Sequence, residues 1–585
     1  SLTAPDGRNV VLEVSSVGYQ TKRVNVGRQT EVNVVLELAV SGLSDVVVTA
    51  LGIKREAKSL TYSTQSVDTK NLSEARELNV LTSLEGKVAG LSISSSSGGV
   101  GTGVRVVLRG NRSIDGDSQP LYVIDGVIGA DPTTISPDNI ASINVLKGAN
   151  ASALYGSLAQ NGVVIMETKK GVAGSHVSVS QTFMQQDPYA FLPFQNEYGQ
   201  GYGGIYSKRA DASWGPKMTG QMVDTWSLDP ADAGKQYAFL PQPNNRKDAF
   251  QKGYNSATNI TASMGSENLQ AFFSYTYTDG KGIIANNNLK RHNILTRITG
   301  KLTSKLSLDS KVEFMQQEID NRTDAYPNPI EQIYNMPANI RTQDLIHYSF
   351  QNANGNTIQN YWNPSTVNGQ NAYWVQNKIK TKDAETNTVV MTSLTYSFSN
   401  ALKLMVRASY NGYGNSGNRK NYSGTYPGGF GFYAESKGEG FSLNSDFLLS
   451  YTHDINKDFN VKLNAGGTTL KFRNSSLDAS TGSALLVPNL FSISNTNAPT
   501  ASYSPGSSTN KNSLYAFASV GFKNALFLDL TGRNDWSSTL PEASRSYFYP
   551  SFGLSAVLTD LIPTLPKVIS FAKLRMSYAD VGNDT

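Results

Sequence analysis

The sequence predicts a mainly β protein in which a transmembrane antiparallel β-barrel forms the larger, C-terminal part. From about residue 176 onward, apolar and polar side chains alternate, as in residues 305–317, 401–413 and 458–467. Short polar turns join neighbouring strands, whereas long segments rich in Gly, Tyr and Asn, such as 319–385 and 414–440, separate the pairs. Tyr, Phe and Trp concentrate toward strand ends. These features are typical of outer-membrane barrels, whose closure leaves no backbone group unpaired in lipid, and roughly a dozen strands fit the template.

Composition excludes several classes of function. Charged residues make up 17% of the 585 residues, and the net charge of +5 is spread without a basic block that would follow a nucleic acid. The absence of cysteine excludes disulfides, thiol catalysis and cysteine-ligated zinc. No apolar stretch reaches 18 residues, so no transmembrane helix is predicted. The chain opens in mid-pattern without a signal peptide, and we expect a mature, truncated fragment.

Residues 1–40 alternate with period two around turn residues, which predicts the last half of a small β-sandwich. Residues 41–56 then form a linker. The linker contains three consecutive valines in an extended segment that has no evident hairpin partner. Its backbone donors and acceptors are therefore expected to be open to pairing with another chain.

Residues 57–171 predict a small α/β domain, and residues 172–585 make up the barrel. Apolar residues at helical spacing in 79–91 predict a helix that ends at Gly86 or Gly90. Ser136-Pro137 is typical of a helix start. Four short strands are expected, in VRVVLRG (104–110), PLYVIDG (120–126), INVLKG (143–148) and GVVIMETKK (162–170).

Motifs for catalysis or nucleotide binding are not satisfied. Gly99-x-Gly101 resembles the start of a dinucleotide fingerprint, but Val104 stands where the third glycine is required and a strand follows. None of the four histidines lies in a recognised zinc or catalytic-triad pattern. The sequence therefore predicts no enzyme and no cofactor or metal site.

Aromatic residues in the long segments are the candidate substrate contacts. Trp214, Trp362, Tyr373 and Trp374 lie among Tyr and Asn residues, a setting suited to stacking on sugars or gripping peptides. Packing within the loops, or anchoring at the membrane interface, explains the same residues equally well.

An ordered series of motifs resembles the plug domain of SusC/RagA-type TonB-dependent outer-membrane transporters. The series comprises DVVVTALGIKRE (45–56), LRGNRSI (108–114), PLYVIDGV (120–127) and residues 135–171. Two barrel segments, FQNEYGQGYGG (194–204) and TGRNDWSSTLP (531–541), are also similar to that family. VSSVGYQTKRVNVG (14–27) resembles its N-terminal carboxypeptidase-regulatory-like sandwich.

The resemblance implies roles for individual residues. The TonB box, which a periplasmic partner would grip by strand addition, falls on Asp45, Val46, Val47, Val48, Thr49 and Ala50. The plug motifs place Leu108, Arg109, Gly110, Tyr122, Asp125, Gly126, Lys147, Tyr155 and Gly156 in the plug. Arg109 is expected to contact carboxylates of the barrel wall. The small residues around 145–171 are expected to let the end of the plug pack closely against the barrel, yet shift.

The family's barrels belong to the plugged, 22-stranded class. Because about a dozen strands cannot close around a plug, we expect the full protein to continue beyond Thr585. The implied function is import of an oligosaccharide or oligopeptide across the outer membrane of a Gram-negative, Bacteroidota-like bacterium. The implied partners are TonB with its inner-membrane complex, a SusD-like lipoprotein lid and outer-membrane lipid, without nucleic acid.

Two other functions remain open at this stage. One is a surface adhesion or structural β-protein that transports nothing, and the other is an outer-membrane enzyme. Removal of residues 45–50 separates transport from both, because only a transporter should lose uptake while it still binds ligand.

Overall fold

The structure is a computed structural model. It describes residues 11–14, 22–25, 32, 34–36, 46–48, 52–67, 69, 77–95, 99–101, 103–111, 118–147, 155–323, 327–363, 369–426, 429–562, 564–566 and 568–580.

Two small hairpins lie at the N-terminal end. Strands β1 (Val11–Val14) and β2 (Lys22–Asn25) pair antiparallel, as the alternation predicts. The alternation over residues 1–40 does not produce a strand at the described residues 32 and 34–36. Strands β3 (Val46–Val48) and β4 (Lys54–Glu56) form the second hairpin. The prediction that this segment has no hairpin partner is therefore wrong, because the chain turns back within five residues and β4 occupies one edge of β3.

The linker leads into a small domain that we call the plug, whose described strands and turns lie between residues 57 and 171. Its strands are β5 (Ser63–Val67), β6 (Leu91–Ser95), β7 (Val104–Leu108), β8 (Leu121–Ile124), β9 (Val127–Ile128), β10 (Ile140–Lys147) and β11 (Val163–Thr168). Five of them form one sheet in the order β5-β10-β11-β8-β9, and β6 pairs with β7. The four strands predicted between 104 and 170 are thus confirmed. Runs such as Val163–Thr168 are apolar almost throughout because both faces of the central strands are buried.

The helix predicted within 79–91 is wrong. The only helical turn there among the described residues is a 3-10 turn at Thr82–Leu84. Asn79 Oδ1 accepts the backbone N–H of Leu81, and Gly86 and Gly90 take positive φ angles of 71° and 75°, so the segment is a series of turns. The helix start predicted at Ser136-Pro137 is likewise a single 3-10 turn, Pro137–Asn139. Further 3-10 turns lie at Ala57–Ser59, Pro132–Thr134 and Gly156–Ala159.

The rest of the described chain is dominated by long antiparallel strands. These strands are β12 (Gly174–Gln186), β13 (Gly201–Tyr202), β14 (Ile205–Tyr206), β15 (Met222–Asp224), β16 (Gln236–Ala238), β17 (Gly253–Gly265), β18 (Leu269–Lys281), β19 (Asn288–Lys301), β20 (Leu306–Asp320), β21 (Ser349–Gln351), β22 (Thr357–Gln359), β23 (Ile379–Ser397), β24 (Leu402–Asn421), β25 (Phe432–Asp454), β26 (Phe459–Ser480), β27 (Thr500–Ser504), β28 (Ser508–Phe522), β29 (Leu526–Ser537), β30 (Ser546–Val557) and β31 (Lys573–Ala579).

Fourteen of these strands form one sheet. It follows the chain order β12-β17-β18-β19-β20-β23-β24-β25-β26-β28-β29-β30-β31, with β27 paired to β26. Each neighbouring pair is antiparallel, as in the meander of an outer-membrane barrel. The short strands β13 to β16, β21 and β22 form separate hairpins in the long connections.

The predicted alternation separates the two faces of the sheet. On β20 the side chain of Val312 is 48% exposed, whereas Lys311 next to it is 1% exposed. Val406 and Arg407 on β24 repeat this relationship, with the valine outward and the arginine buried. We call the inward, polar face the wall. The plug lies against it, with contacts that extend from Thr276 on β18 to Arg575 on β31.

The two ends of the sheet differ in the length of their connections. Short turns such as 302–305, 398–401 and 455–458 lie at one end, and long connections such as 187–252 and 321–378 lie at the other. The predicted loop 414–440 is wrong, because β24 continues to Asn421 and β25 starts at Phe432. The helices are α1 (Pro329–Tyr334), α2 (Thr342–Leu345), α3 (Ala372–Lys378) and α4 (Leu558–Leu561). None of the helices in the described part of the chain is long and apolar enough to cross a membrane.

Candidate functional site: the contact between plug and wall

A tight turn carries one plug carboxylate into the wall. Strands β8 and β9 pair through Ile124 and Val127, which leaves Asp125 and Gly126 as a two-residue turn. Both residues take positive φ angles, 51° and 83°, as a type I′ hairpin turn requires. The Asp-Gly sequence adopts this turn readily because glycine has no Cβ and aspartate tolerates the left-handed region.

Asp125 is buried and is held by residues of the plug and of the wall. Its Oδ1 lies 2.6 Å from Nη1 of Arg297 on β19, and its Oδ2 lies 2.7 Å from Nζ of Lys311 on β20. Within the plug, Thr168 donates its backbone N–H to Oδ1 at 3.0 Å and its hydroxyl to Oδ2 at 2.8 Å. Burial opposes ionisation of Asp125, but the adjacent charges of Lys311 and Arg297 outweigh it and hold its pKa below the ordinary range.

The wall cations around Asp125 are also paired within the wall. Arg297 places Nη2 2.8 Å from Oδ2 of Asp309, and Lys311 lies 3.3 Å from Oε2 of Glu313. Each cation that meets the plug therefore has a second carboxylate on its own sheet. Loss of the plug contact leaves these buried cations with a partner, which lowers the cost of separating plug from wall.

Two plug glycines press on further wall ion pairs. Next to Gly126, Arg407 pairs with Asp446 through two hydrogen bonds of 3.0 and 2.8 Å, and a Cβ at Gly126 would overlap the guanidinium group. A Cβ at Gly156 would approach Oδ2 of Asp535 to 2.5 Å. The other oxygen of this carboxylate, Oδ1, accepts a hydrogen bond from Nε of Arg533 at 2.7 Å. The plug thus reaches the charged wall most closely where its side chains are smallest.

The start of the plug is tied to the wall near the short-turn end. Arg55 on β4 places its guanidinium nitrogens 3.0 and 3.2 Å from the carboxylate of Asp529, which also accepts the hydroxyl of Thr61 at 2.9 Å. Lys573 on β31 donates to the carbonyl oxygens of Ala57 and Leu60. The ion pair between Arg55 and Asp529 joins the wall to β4, the strand that pairs with β3.

A cavity of about 900 Å³ lies on the other side of the plug, toward the long connections. Plug segments around 77–82, 99–104 and 119–133 line one side of it. Gln186, Asn255, Arg291, Gln317, Arg322 and Glu385 contribute to its wall side. The acidic Glu77 and Asp131 line the plug side. Burial, together with the charge of Glu85, raises the pKa of Glu77.

The structure brings only some of the predicted plug residues to the wall. Asp125, Gly126 and Gly156 lie against wall charges, and Tyr155 is buried beside them. Leu108 belongs to the plug core, Gly110 is exposed and Tyr122 lines the cavity. Lys147 donates to Gln65 and to the carbonyl of Ala89 inside the plug, and burial lowers its pKa, with Arg109 adding to the effect.

The predicted contact of Arg109 with wall carboxylates is wrong for the part of the chain that the structure describes. The Arg109 side chain is exposed and forms no ion pair with a described wall residue. Arg109 takes a positive φ of 61° directly after β7, and its backbone N–H donates to the carbonyl of Gly90 at 2.8 Å. The interface has the opposite polarity, because a plug carboxylate meets wall cations. Arg297 and Lys311 were missed because strand alternation shows that they face inward but not which plug residue they meet.

The predicted substrate aromatics divide into two groups. Trp362 and Trp374 are 1% and 0% exposed, donate their indole N–H groups to Asp211 and Thr425, and pack inside the folded long connections. Of the two explanations given for these residues, the structure agrees with packing within the loops, because apolar residues enclose both rings. Trp214 is 68% exposed, and Tyr373 is half-buried. Of the TonB-box residues, Val46, Val47 and Val48 form β3, whereas Asp45, Thr49 and Ala50 lie outside the described residues.

Comparison with known families agrees with this architecture. The family model described as "TonB-dependent Receptor Plug Domain" matches residues 56–163. The model described as "TonB dependent receptor-like, beta-barrel" matches residues 332–583. The chain belongs to the family of TonB-dependent receptors. Within that family it is similar to members of the SusC and RagA type, as two further comparisons indicate.

Among curated relatives, the TonB-dependent receptor SusC of Bacteroides thetaiotaomicron is 31% identical over 299 residues, 50% of this receptor and 27% of the relative. TonB-dependent receptor P26 of Formosa agariphila is 25% identical over 602 residues, which cover 98% of this receptor. A solved structure of the RagAB peptide importer in its "open-open" state aligns over 92% of this receptor with a TM-score of 0.70 and 20% identity. At that identity the likeness concerns the fold.

The receptor chain is shorter than the proteins it matches. It spans 56% of the length of P26 and 61% of the RagAB chain to which it aligns. Its 14-stranded sheet therefore aligns with part of a longer chain in the RagAB structure. Within the described residues, no group of three or more His, Asp or Glu side chains is arranged to hold a metal ion.

Proposed function

We propose that this receptor actively imports a nutrient oligomer, an oligosaccharide or an oligopeptide, across the bacterial outer membrane in a TonB-dependent manner. The proposal assigns residues 57–171 to the plug and 172–585 to part of the barrel. The observation that carries it is the buried pairing of Asp125 with Arg297 and Lys311. A plug held by ion pairs blocks passive diffusion, so passage of an oligomer requires work on the plug.

In this proposal TonB exerts its pull on the hairpin of β3 and β4. Strand β3 pairs with β4 on one edge, and no other described strand pairs with β3. A strand of TonB can add to the other edge or replace β4, and main-chain hydrogen bonds would then transmit a pull along the chain. Residues 45–50 are the proposed TonB box, and β4 leads directly into Arg55 and the wall.

A SusD-like lipoprotein is the proposed lid over the cavity. The printed description of RagAB as a peptide importer, and the similarity to SusC, motivate this partner. The folded long connections supply the surface for it, with Trp214 exposed at the end that faces away from the short turns. Substrate would bind between this lid, the plug and the wall.

Deletion of residues 45–50 from the full-length receptor tests the proposal. Growth on a malto-oligosaccharide mixture or on a tryptic casein digest, as the only carbon source, reports uptake, and surface retention of the same labelled probes reports binding. We expect uptake to stop and binding to persist. A finer pair is Val47→Pro, which removes a backbone donor, against Val47→Thr, which preserves strand propensity. Uptake that persists after the deletion would overturn the transport function.

A further inference from the structure

A chain of hydrogen bonds runs along the wall side of the cavity and begins on a plug carbonyl. Arg291 on β19 donates Nη1 to the carbonyl oxygen of Leu78 at 3.2 Å and Nε to Oε1 of Gln317 at 2.6 Å. Gln317 on β20 donates Nε2 to Oε2 of Glu385 on β23 at 2.9 Å. Three neighbouring wall strands are therefore linked in sequence.

The other end of the chain also rests on the plug. Arg322, which follows β20, donates Nη2 to Oε1 of Glu385 at 2.5 Å and Nη1 to the carbonyl oxygen of Gly101 at 2.7 Å. Its Nε donates to Asp383 at 3.1 Å. All six residues of this hydrogen-bonded series line the cavity, namely Leu78, Arg291, Gln317, Glu385, Arg322 and Gly101.

Arg322 holds the wall more strongly than it holds the plug. It meets Glu385 and Asp383 as opposite charges, whereas its printed contact with the plug is to the neutral carbonyl oxygen of Gly101. Two opposite charges attract each other more strongly than a charge attracts a neutral acceptor. A ligand that offers a carbonyl oxygen in the cavity therefore displaces that of Gly101 before it disrupts the pairs of Arg322 within the wall.

We propose that Arg322 and Arg291 bind carbonyl oxygens of an oligopeptide substrate, which replace those of Gly101 and Leu78 and so release this side of the plug. The inference rests on the proposed transport function and selects the peptide over the oligosaccharide. The donors already hold peptide carbonyls, so a peptide backbone offers the same chemistry. The arginines and the plug acids Glu77 and Asp131 together match a ligand that carries both charges.

The described residues that line the cavity do not include a pair of aromatic side chains on which sugar rings could stack. Tyr122 is the single aromatic residue among the described residues that line the cavity. Stacking between two aromatic faces is therefore not available from these residues.

A retention experiment tests the substrate class. Full-length receptor is incubated with a tryptic casein digest, a malto-oligosaccharide mixture or an oligogalacturonate mixture, and retained molecules are quantified by mass spectrometry. We expect the receptor to retain peptides and neither glycan, and Arg322→Gln to retain about 10-fold less peptide. The matched control is Lys382→Gln on the same strand as Glu385, because Lys382 pairs with Glu318 at 3.1 Å outside the cavity and both side chains are partly exposed.

A second readout follows the plug directly. The 585 residues contain no cysteine, and a Cβ at Gly103 would have no neighbour within 4 Å, so Gly103→Cys adds one spin-label site to this part of the receptor, near Gly101. We expect casein peptides to increase label mobility in the otherwise native receptor. With Arg322→Gln or Glu385→Gln, the label should be mobile before peptide is added, whereas Lys382→Gln should behave like the native receptor. Heat-modifiable migration in gels confirms that each variant has a folded barrel.

Three results would overturn the inference. They are retention of glycans in place of peptides, retention of neither class, and peptide retention by Arg322→Gln equal to that of the native receptor. Unchanged label mobility in both Arg322→Gln and Glu385→Gln would also overturn it. These outcomes leave transport itself to be judged by the deletion of residues 45–50, so the two proposals fail separately.

Discussion

The carboxylate of Asp125 in the plug and the guanidinium of Arg297 in the wall lie 2.6 Å apart, with both side chains buried. Lys311 approaches the same carboxylate at 2.7 Å from the neighbouring strand. Removing one partner of a buried ion pair is strongly destabilising because it leaves an uncompensated charge. Here Asp309 and Glu313 remain as partners of the two cations. The plug can therefore separate from the wall without leaving Arg297 or Lys311 as an unpaired buried charge.

Replacement of Asp125 by Asn should loosen the plug without unfolding the barrel. We expect a loss of about 3 kcal/mol in plug stability, at the low end for a broken buried pair because the wall carboxylates remain. Native-state hydrogen exchange of amides in β10 and β11 measures this loss. Lys217→Gln is the control, because Lys217 pairs with Glu197 at an exposed site and its substitution should leave stability nearly unchanged. Equal exchange in the two variants would contradict the assignment.

The same pairing gives the plug a specific acid sensitivity. The pKa of Asp125 is held below its ordinary value because, against the opposing effect of burial, Lys311 and Arg297 favour the charged form. A group with a lowered pKa stabilises the folded state above its unfolded pKa, about 3.9 for Asp, and this contribution is lost as pH falls below that value. Between pH 6 and pH 3, the protection of β10 amides, taken relative to their intrinsic exchange rate at each pH, should therefore fall more in the native receptor than in Asp125→Asn. Parallel pH profiles would show that Asp125 is not responsible.

Asp529 should control the segment that leads to the TonB box. It holds Arg55 at 3.0 Å and Thr61 at 2.9 Å, and Arg55 lies in the strand that pairs with β3. We expect Asp529→Asn to speed hydrogen exchange in residues 52–61 by about 10-fold, as loss of one charged hydrogen bond predicts. Glu56→Gln removes the longer contact of 3.6 Å between the exposed Glu56 and the half-buried Lys58 and should leave exchange nearly unchanged. Similar exchange in both variants would mean that the hairpin is held by other contacts.

Alternation along single strands was enough to predict the barrel and the direction of its side chains. In residues 305–317, period two places Val312 outward and Lys311 inward, and the structure agrees. The helix in 79–91 failed because the side chain of Asn79 and two glycines with positive φ outcompete an apolar spacing that the turns also satisfy. Substrate contact and loop packing were left open for Trp362, because the sequence does not show whether the long connections fold into an apolar cluster of their own; the structure shows that they do.

The plug contacts lay beyond sequence reasoning for a different physical reason. Asp125 was identified as a motif residue, but its partners Arg297 and Lys311 are 172 and 186 residues away along the chain. Such pairs depend on how the plug is rotated against the wall, and a single sequence contains no information on that rotation. The resemblance to a known family supplied the existence of the interface, and the structure supplied its polarity.

Two glycines of one hairpin region provide a closely matched test of the interface. Gly126 and Gly129 both take positive φ angles, 83° and 71°, so alanine is strained by a similar amount at either position. They differ in surroundings, because a Cβ at Gly126 would overlap the Arg407 guanidinium, whereas a Cβ at Gly129 would have no neighbour within 4 Å. Gly126→Ala must therefore shift either the plug turn or the Arg407–Asp446 pair.

We expect Gly126→Ala to lower plug stability by about 2 kcal/mol more than Gly129→Ala, the usual cost of overpacking a well-packed site. Hydrogen exchange of β8 and β11 amides reports the difference, and an Arg407→Ala background supplies a second comparison because it removes the group that the new methyl would meet. In that background the two alanine variants should become nearly equal. If the difference persists without Arg407, the strain lies within the turn itself and the close approach of plug and wall at this position has no energetic consequence.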